Sequence, residues 1–202
     1  KRFIMEGQKS LFLPLTHEIR DMIQLGAIGD IIYIDSITAY PNIGHVTWFE
    51  DAEMGGGTLH LMGAYPFEYL PYLIGSEIVD CSGVARMFEG GTDSQSNFSI
   101  KFANGALANI FLTTHIDLPK ELTIYGTKGK IVIPRFWGAQ TASVEARACS
   151  AFEVTHKMDN EFIYEIKHVN ECIREGKLQS DVMTEENTLT TIRIMEEFYK
   201  KW

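Results

Sequence analysis

The chain of 202 residues contains 45% hydrophobic and 22% charged residues, a balance typical of a globular protein with a sizeable core. Its formal net charge of −9 repels phosphate backbones and anionic lipid heads, so nucleic acid and membranes are poor candidate partners. No apolar run is long enough to span a membrane, and we expect no leader peptide. Three widely spaced cysteines predict reduced thiols and a cytoplasmic location rather than a disulfide framework.

The N-terminal part predicts a strand end, a helix and a strand. Residues 1–7, KRFIMEG, are typical of the last part of a strand whose partners are not evident in the sequence. A helix is predicted next, with Gly26 as its stop. Residues 31–40 are rich in β-branched and aromatic side chains and predict a strand. The helix is indicated by four apolar residues on one face: Leu15, Ile19, Met22 and Ile23.

A helix and a strand-rich region follow. The pattern over residues 58–74 is helical, and Pro66 and Pro71 are expected to bend or shorten this helix. Asn104 and Gly105 predict a type I′ hairpin turn, because both residue types tolerate a positive φ. The predicted strands are 78–87, 97–103, 106–114, 121–125 and 130–134, with weaker candidates at 143–147 and 152–156.

Two helices are predicted to close the chain. The first is amphipathic, and the second begins at the N-cap Thr184 with acidic residues in its first turn and lysines in its last turn. The apolar face of the first consists of Phe162, Ile166, Val169 and Ile173.

These elements predict an α+β fold. We expect one large domain with a large, open, mostly antiparallel sheet of five or more strands and with helices packed on one face. An apolar free face of such a sheet would expose a large patch, and large exposed patches usually mark an interface. The sequence therefore predicts a dimer or higher oligomer formed through the open sheet face.

The sequence lacks the motifs of several common cofactor-binding and catalytic sites. No GxGxxG follows a strand, and no Walker A, HExxH or GxSxG pattern is present. No two histidines have metal-binding spacing, although folding could still gather some of the six. We therefore predict no dinucleotide site within this chain and no metal site.

The stretch GGGTLHLMGAYP, residues 55–66, offers candidate catalytic residues at the start of a helix. Gly56 and Gly57 would let a substrate approach closely and would leave amide donors free. His60 suits general acid/base work because imidazole titrates near neutral pH. Tyr65 is a candidate proton donor or acceptor that would need a cation or a relay to act as a base. The alternative is that the tyrosine and histidine pack in the core and that the glycines serve close backbone packing.

Other candidate substrate-binding residues lie outside this stretch. His45 and Trp48 fall in an irregular segment before the glycines and could line a sugar or polyol pocket. Trp48 could instead anchor the loop to the core, and Trp137 is open to the same two interpretations. Lys9 could reach the site, or it could be an ordinary solvated lysine.

Four segments, in this order and spacing, carry a family resemblance. They are MEGQKSLFLP, IQLGAIGDIIYIDS, GGGTLHLMGAYPFEYLPYLIG and LTIYGTKGKIVI. Together they resemble the C-terminal half of the Gfo/Idh/MocA oxidoreductases, especially the dihydrodiol-dehydrogenase-like branch, over nearly the whole chain.

The resemblance implies both a fold and a division of labour. Family members carry an N-terminal Rossmann domain that binds NAD or NADP. Their C-terminal domain, similar to that of glyceraldehyde-3-phosphate dehydrogenase, binds a sugar, polyol or related alcohol and pairs subunits. Residues 1–6 would then be the last strand of a missing dinucleotide-binding domain, and residues 7–202 the substrate-binding and oligomerisation domain. No cofactor is expected to bind this chain alone.

This sequence matches the site residues of the family only in part. The helix after the glycines commonly holds an Asp and, four residues on, a His or Tyr. This sequence has Leu61 and Tyr65 at those positions, so the tyrosine matches and the Asp does not. The family's lysine belongs to a Glu-Lys-Pro motif of the Rossmann part, which this chain lacks and to which Lys9 does not correspond. His60 could partly substitute for the lost Asp.

Two functions follow from these observations, and a third remains open. The first is part of an NAD(P)-dependent oxidoreductase that transfers hydride, with Tyr65 as the acid/base. The second is a non-catalytic ligand-binding or subunit-assembly domain, which Leu61 in place of the Asp favours. The third is a structural α+β domain without a small ligand.

Overall fold

The computed structural model describes residues 2–147 and 149–202, which form one eight-stranded sheet and four α-helices. The strands are β1 Ile31–Ala39, β2 Ile78–Met87, β3 Asp93–Phe102, β4 Leu107–Thr113, β5 Glu121–Gly126, β6 Gly129–Pro134, β7 Thr141–Ala146 and β8 Cys149–Thr155. The helices are α1 Pro14–Gln24, α2 Ala64–Ile74, α3 Phe162–Arg174 and α4 Glu185–Tyr199. A five-residue π-helical segment, Leu59–Gly63, leads directly into α2.

The strand order confirms the predicted α+β architecture. The strands lie in the order β2-β3-β4-β1-β5-β6-β7-β8. The β1–β4 pair is parallel, and the other neighbouring pairs of the sheet are antiparallel. β1 is thus inserted between two hairpin units, which places the first strand of the chain at the centre of the sheet.

Helices cover one face of the sheet and leave the other open. Alternate residues such as Ile34, Phe98 and Ile110 are fully buried in the core beneath the helices. The opposite face exposes large apolar side chains on four strands; we call it the open face, and it includes Tyr33, Val84, Leu107 and Tyr125. The predicted one-sided layering is confirmed.

The β3–β4 hairpin forms where it was predicted, but its turn type was predicted wrongly. The Gly105 amide donates to the Phe102 carbonyl at 2.9 Å, and the Phe102 amide donates to the Ala106 carbonyl at 2.9 Å. Gly105 has φ of +89°, whereas Asn104 is not among the described residues with positive φ. Only one residue therefore takes the left-handed conformation, as in a three-residue hairpin loop with a glycine bulge.

The helix after the glycines continues past both of its prolines. Pro71 lies inside α2, which continues to Ile74 and ends at Gly75 with φ of +64°. Pro66 has no amide proton to donate to the preceding turn, and the π-helical segment lies just before it. The prolines do not shorten the helix, because its largely buried surface holds the helix against the core. That they bend it stays a prediction.

Helix α3 exposes the apolar face that amphipathicity would place in the core. The side chains of Phe162, Ile166 and Ile173 are 47%, 55% and 54% exposed, while Cys172 is buried. The helix contacts a short 3-10 turn, Lys9–Phe12, rather than lying on the sheet. Periodicity identified an apolar face correctly, but it does not show which part of the molecule covers that face.

The N-terminal residues and the helix lengths bear on two further expectations. Residues 2–7 form neither helix nor strand, and the Ile4 amide donates to the Leu178 carbonyl at 3.2 Å. The expected strand at residues 1–6 is therefore not formed within the described part of this chain, and its pairing with another domain stays a prediction. Among the described helices, none is both long and apolar enough to cross a bilayer.

Candidate functional site

Lys9 and Tyr65 lie close together, although 55 residues separate them in the sequence. The Lys9 Nζ atom is 5.9 Å from the centroid of the Tyr65 ring and 4.5 Å from that of Phe162. It also forms an ion pair with Glu161 Oε1 at 3.0 Å, and the lysine side chain is only 12% exposed. Lys9 is therefore not a freely solvated lysine, and we call Lys9, Tyr65, Glu161 and Phe162 the Lys9 cluster.

Three elements bring the Lys9 cluster together. Lys9 opens the 3-10 turn whose other residues, Ser10–Phe12, are buried and fix its place. Tyr65 is half-buried in the first turn of α2. Phe162 begins α3, where its amide donates to the Asn160 side chain at 2.9 Å.

Trp137 lies beside this cluster. It belongs to a 3-10 turn, Phe136–Gly138, that contacts the Lys9–Phe12 turn. A Cβ atom added to Gly138 would lie 3.4 Å from the Glu161 carboxylate, so the turn passes directly over the partner of Lys9. The Trp137 indole is half-buried against the Phe136 ring, with a centroid distance of 5.3 Å.

Carboxylates surround the Lys9 ammonium. Glu165 lies one turn after Glu161, and burial raises the pKa of its carboxyl while the charge of Lys9 opposes this shift. One oxygen of Glu165 is buried without a hydrogen-bond partner among the described residues. Together with Glu165, the Lys9 cluster combines a cation, a phenol, two acidic groups and an aromatic ring, which can hold a polar ligand and move a proton.

His60 has different surroundings from Tyr65. Its side chain is exposed, its Nδ1–H donates to the Gly56 carbonyl at 3.1 Å, and its ring stacks on Tyr199 at 4.5 Å. It lines a cavity of about 500 Å³ together with Thr92 and Lys200. No described hydrogen bond joins His60 to Tyr65, so a direct proton relay between them is not formed in the structure.

The glycine run serves the protein's own packing. The amides of Gly56 and Gly57 donate to the carbonyls of Asp51 and Phe49 at 2.9 and 2.8 Å, so the expectation of free amide donors is wrong. A Cβ atom added to Gly56 would lie 2.2 Å from the Phe49 carbonyl oxygen. Gly57 has φ of +100°, and a Cβ atom there would lie 2.4 Å from Asp93 Oδ1. Close backbone packing accounts for both residues, and contact with a substrate stays a prediction.

Asp93 holds the start of the helical segment that leads to Tyr65, and no sequence pattern singled it out. Its buried carboxylate accepts hydrogen bonds from the Thr58 hydroxyl and from the Leu59 amide, which begins the π-helical segment. The Tyr199 hydroxyl donates to the same carboxylate at 2.5 Å, and burial followed by the Asp93 charge raises the pKa of Tyr199. A carboxylate from β3 therefore caps the helix that carries Tyr65.

The loop residues His45 and Trp48 lie on the surface. The His45 ring packs edge-on against Tyr40 at 6.0 Å, and its Nδ1–H donates to the Asn42 carbonyl. Trp48 is 37% exposed, whereas its neighbour Phe49 is buried and anchors the loop. Trp48 is thus not the anchor that the packing interpretation proposed, and no described contact joins either residue to the Lys9 cluster.

Two members of the Lys9 cluster, Glu161 and Phe162, were not predicted as site residues. Phe162 was assigned to an amphipathic helix, since its spacing from Ile166 fits a helix face. A polar and an aromatic residue at the first turn of a helix were the only local signals. Their contact with Lys9 spans more than 150 residues of sequence, and no spacing rule reaches that far.

Comparison with known proteins gives matches over nearly the whole chain. The family model described as the GFO/IDH/MocA C-terminal domain matches residues 16–132. A trans-1,2-dihydrobenzene-1,2-diol dehydrogenase of Xenopus laevis is 29% identical over 204 residues, which cover 96% of this chain and 61% of that protein. The protein of the same description from Mus musculus is 25% identical, with 98% and 61% covered. The chain therefore spans about three-fifths of the length of these relatives.

Solved structures show the same fold. The aldose-aldose oxidoreductase from Caulobacter crescentus, complexed with glycerol, superimposes with a TM-score of 0.86 at 22% identity, covering 98% of this chain and 61% of that one. A mutant 3-ketoreductase from Actinomadura kijaniata, in complex with TDP-benzene and NADP, gives 0.77 at 18% identity, with 96% and 59% covered. Since the family match extends over more than half of the sequence, this chain belongs to the GFO/IDH/MocA family and represents its C-terminal domain.

Proposed function

We propose that this chain is the substrate-binding and oligomerisation part of an NAD(P)-dependent oxidoreductase that acts on a sugar, polyol or related alcohol. The observation that carries the proposal is the half-buried Tyr65 beside the Lys9 ammonium, at the start of the helix that follows the glycine run. The curated relatives are described as diol dehydrogenases, and one similar structure is an aldose-aldose oxidoreductase. These descriptions support the class of substrate without fixing its identity.

The chain alone does not fit a dinucleotide at its glycine run. The three amides of Gly55–Gly57 donate to carbonyls of the preceding loop, so they do not form the free amide nest that a pyrophosphate needs. We assign NAD or NADP instead to an N-terminal Rossmann domain, of which residues 1–6 would be the last strand. The exposed apolar face of α3, with Phe162 and Ile166, supports this division because a second domain could cover it.

In the proposed mechanism, Tyr65 exchanges a proton with the substrate hydroxyl. The bound nicotinamide would supply the hydride chemistry at the substrate carbon. Lys9 holds positive charge beside the phenol ring, with its Nζ atom 5.9 Å from the ring centroid. Glu161 holds Lys9 in place through the 3.0 Å ion pair, and the rings of Phe162 and Trp137 would flank the substrate and exclude water. His60, His45, Trp48, Gly56 and Gly57 remain candidate contributors outside this cluster.

We further propose that two subunits associate through the open face. Leu107 on β4 is in register with Tyr33 on β1, and the Tyr33 ring stacks on Tyr125 of β5 at 5.9 Å. These side chains form an exposed apolar strip across three central strands. Such a strip suits a subunit interface. The net charge of −9 supports a protein that binds neither nucleic acid nor membranes, and the three widely spaced cysteines support a cytoplasmic location.

One observation favours a second candidate function, a non-catalytic domain derived from this family. Leu61, where the family commonly has Asp, packs against the core and offers no proton acceptor. A protein that binds the substrate class without turnover would fit this residue. The two functions differ in whether the full-length protein oxidises or reduces any sugar or polyol with NAD or NADP.

The test is Tyr65→Phe in the full-length protein. Loss of the phenolic proton should reduce kcat by about 10²- to 10⁴-fold, because general acid/base groups contribute that much. Tyr125→Phe, on the open face, is the matched control and should leave kcat unchanged. An unaltered kcat in Tyr65→Phe would remove Tyr65 from the mechanism. Ligand binding without turnover in the unmodified protein would support the non-catalytic function.

A further inference from the structure

A second cluster of chemically active side chains lies away from the Lys9 cluster. His168 and Cys172 are one turn apart on α3, and Ser180 and Asp181 follow in the loop before α4. The His168 Nε2 atom is 3.4 Å from Cys172 Sγ and 3.8 Å from Asp181 Oδ1. All three donor atoms lie within 4.8 Å of one another.

Hydrogen bonds around Ser180 hold its hydroxyl group against His168. The Ser180 hydroxyl oxygen accepts from the amides of Val182 and Met183, both at 3.0 Å. Its two lone pairs are then used, so its proton is donated to His168 Nε2 at 2.7 Å. His168 Nε2, the atom that accepts this hydrogen bond, also lies near both Cys172 Sγ and Asp181 Oδ1, and an imidazole nitrogen with an available lone pair can ligate a metal.

Two of the three donor separations are close to those of a metal site, and the third, from Cys172 Sγ to Asp181 Oδ1, is within 4.8 Å. Zinc binds nitrogen, sulfur and oxygen at about 2.0–2.3 Å, so tetrahedral ligands lie roughly 3.3–3.7 Å apart. The separations of 3.4 and 3.8 Å at Nε2 are within a few tenths of an ångström of this range. A mixed set of imidazole, thiolate and carboxylate ligands is typical of zinc and excludes magnesium and calcium.

Lys177 leaves one oxygen of Asp181 available. The Lys177 ammonium pairs with Asp181 Oδ2 at 3.2 Å and with Glu175 at 2.9 Å, whereas Asp181 Oδ1 faces His168. The cluster also borders an open cavity of about 420 Å³, lined in part by Arg20 and Tyr72, through which an ion can enter.

We propose that His168 Nε2, Cys172 Sγ and Asp181 Oδ1 form a zinc-binding site with a water molecule in the fourth position. Binding would release the Cys172 thiol proton to solvent and displace the Ser180 hydroxyl from Nε2. The ion would tie α3 to the loop that leads into α4, and it would do so independently of the proposed hydride transfer. No metal site was predicted from the sequence, because the signal considered there was a pair of histidines rather than a histidine and a cysteine four residues apart.

The test is a titration of the chain with Co²⁺, followed by competition with Zn²⁺. A thiolate ligand produces an intense near-ultraviolet charge-transfer absorption, and a four-coordinate site produces strong visible bands. We expect both in the unmodified chain, their loss when Zn²⁺ is added, and a higher melting temperature with Zn²⁺. Absence of the charge-transfer band would overturn the proposal.

Variants identify the ligands. Cys172→Ser should abolish the charge-transfer band, whereas Cys81→Ser and Cys149→Ser should retain it. Asp181→Asn should keep the band but weaken Co²⁺ binding at least about tenfold, since changes even to outer partners of metal ligands cost 10- to 100-fold. Asp159→Asn, also an exposed carboxylate, is its control. An unchanged band in Cys172→Ser, or an unchanged affinity in Asp181→Asn, would contradict the assignment. The Asp181→Asn result tests the assignment even if Cys172→Ser does not fold.

Discussion

Lys9 shows how much of a side chain's character depends on its surroundings. By sequence it is a lone lysine near the start of the chain. In the structure its charge is held between Glu161 and the rings of Phe162 and Tyr65. Tyr65 could be singled out from the sequence because it matches the His or Tyr that the family commonly carries on the helix after the glycines. Its cationic neighbour could not, because the contact depends on the packing of three elements.

Glu68 is a buried carboxyl group whose pKa differs between the folded and the unfolded chain. It is 3% exposed on α2, accepts a hydrogen bond from Gln8 at 2.5 Å, and has one oxygen without a described partner. Burial raises its pKa to about 8, the Gln8 hydrogen bond opposes this, and the Glu6 carboxyl adds to it. The folded state therefore holds a proton on Glu68 that the unfolded state loses near pH 4.5.

We predict that Glu68→Gln flattens the dependence of stability on pH. Between about pH 4.5 and 8 the unfolded chain binds fewer protons than the folded one, so stability falls as pH rises and then levels off above the folded pKa. The glutamine has nothing to ionise and should be more stable than glutamate at pH 8 by at least about 1 kcal/mol. Urea unfolding at several pH values measures this difference.

The exposed Glu89→Gln serves as the control for this experiment. Its side chain is solvated in both states, so it should leave the pH profile unchanged. A Glu68→Gln profile parallel to that of the unmodified chain would show that Glu68 is ionised in the folded protein at neutral pH.

At the scale of elements, the helix that carries Tyr65 is positioned by its N-terminal end. Asp93 from β3 accepts the Thr58 hydroxyl and the Leu59 amide, and the glycine run packs against the Trp48–Phe49 backbone. The sequence correctly marked glycines followed by a helix. It left two reasons for them open, a ligand or close backbone packing, and the structure shows protein atoms in the space that a side chain would fill.

We predict that Gly56→Ala destabilises the chain by about 1–3 kcal/mol, the usual cost of overpacking. The added Cβ atom would meet the Phe49 carbonyl oxygen at 2.2 Å, and that backbone cannot move without breaking its hydrogen bond from the Gly57 amide. Thermal unfolding should show a melting temperature several degrees lower.

Gly44→Ala is the matched control for Gly56→Ala. A Cβ atom there meets nothing within 4 Å, and its φ is not in the left-handed region. Equal melting temperatures for Gly56→Ala and Gly44→Ala would mean that the loop relaxes freely, and the close approach would then not explain the glycine.

At the scale of the whole molecule, two apolar surfaces have no cover within the described residues. The open face presents Leu107, Tyr33 and Tyr125, and helix α3 presents Phe162 and Ile166. The open face was expected from the alternation of the strands. The exposure of the α3 face was not expected, because a helix has the same amphipathic pattern whether it packs on its own domain or on another one.

We predict that Leu107→Asp reduces self-association of the chain. Leu107 is 52% exposed at the centre of the open face, and a carboxylate buried there by a partner would lack a counter-charge. Stable interfaces bury about 1,600 Å² in total, an area that a face built from eight strands can supply. Sedimentation velocity should show a dimer for the unmodified chain and a monomer for Leu107→Asp.

Leu25→Asp introduces the same charge at the C-terminal end of α1 and should leave the dimer intact, since Leu25 is 87% exposed there. A monomeric unmodified chain at all concentrations, or a dimer that survives Leu107→Asp, would rule out the open face as the interface.

The sequence by itself determined the element types, the one-sided sheet and the family. Alternation along strands, 3.6-residue periodicity and turn chemistry act over a few residues, and they predicted α1, α2, α4 and most strands within a few positions. The tertiary structure alone decided the insertion of β1 between β4 and β5, the Lys9–Tyr65–Glu161 grouping, the Asp93 cap and the outward face of α3. These depend on which surfaces meet across 30 to 150 residues of chain, and contact between distant surfaces is governed by packing and burial of the whole molecule rather than by local pattern.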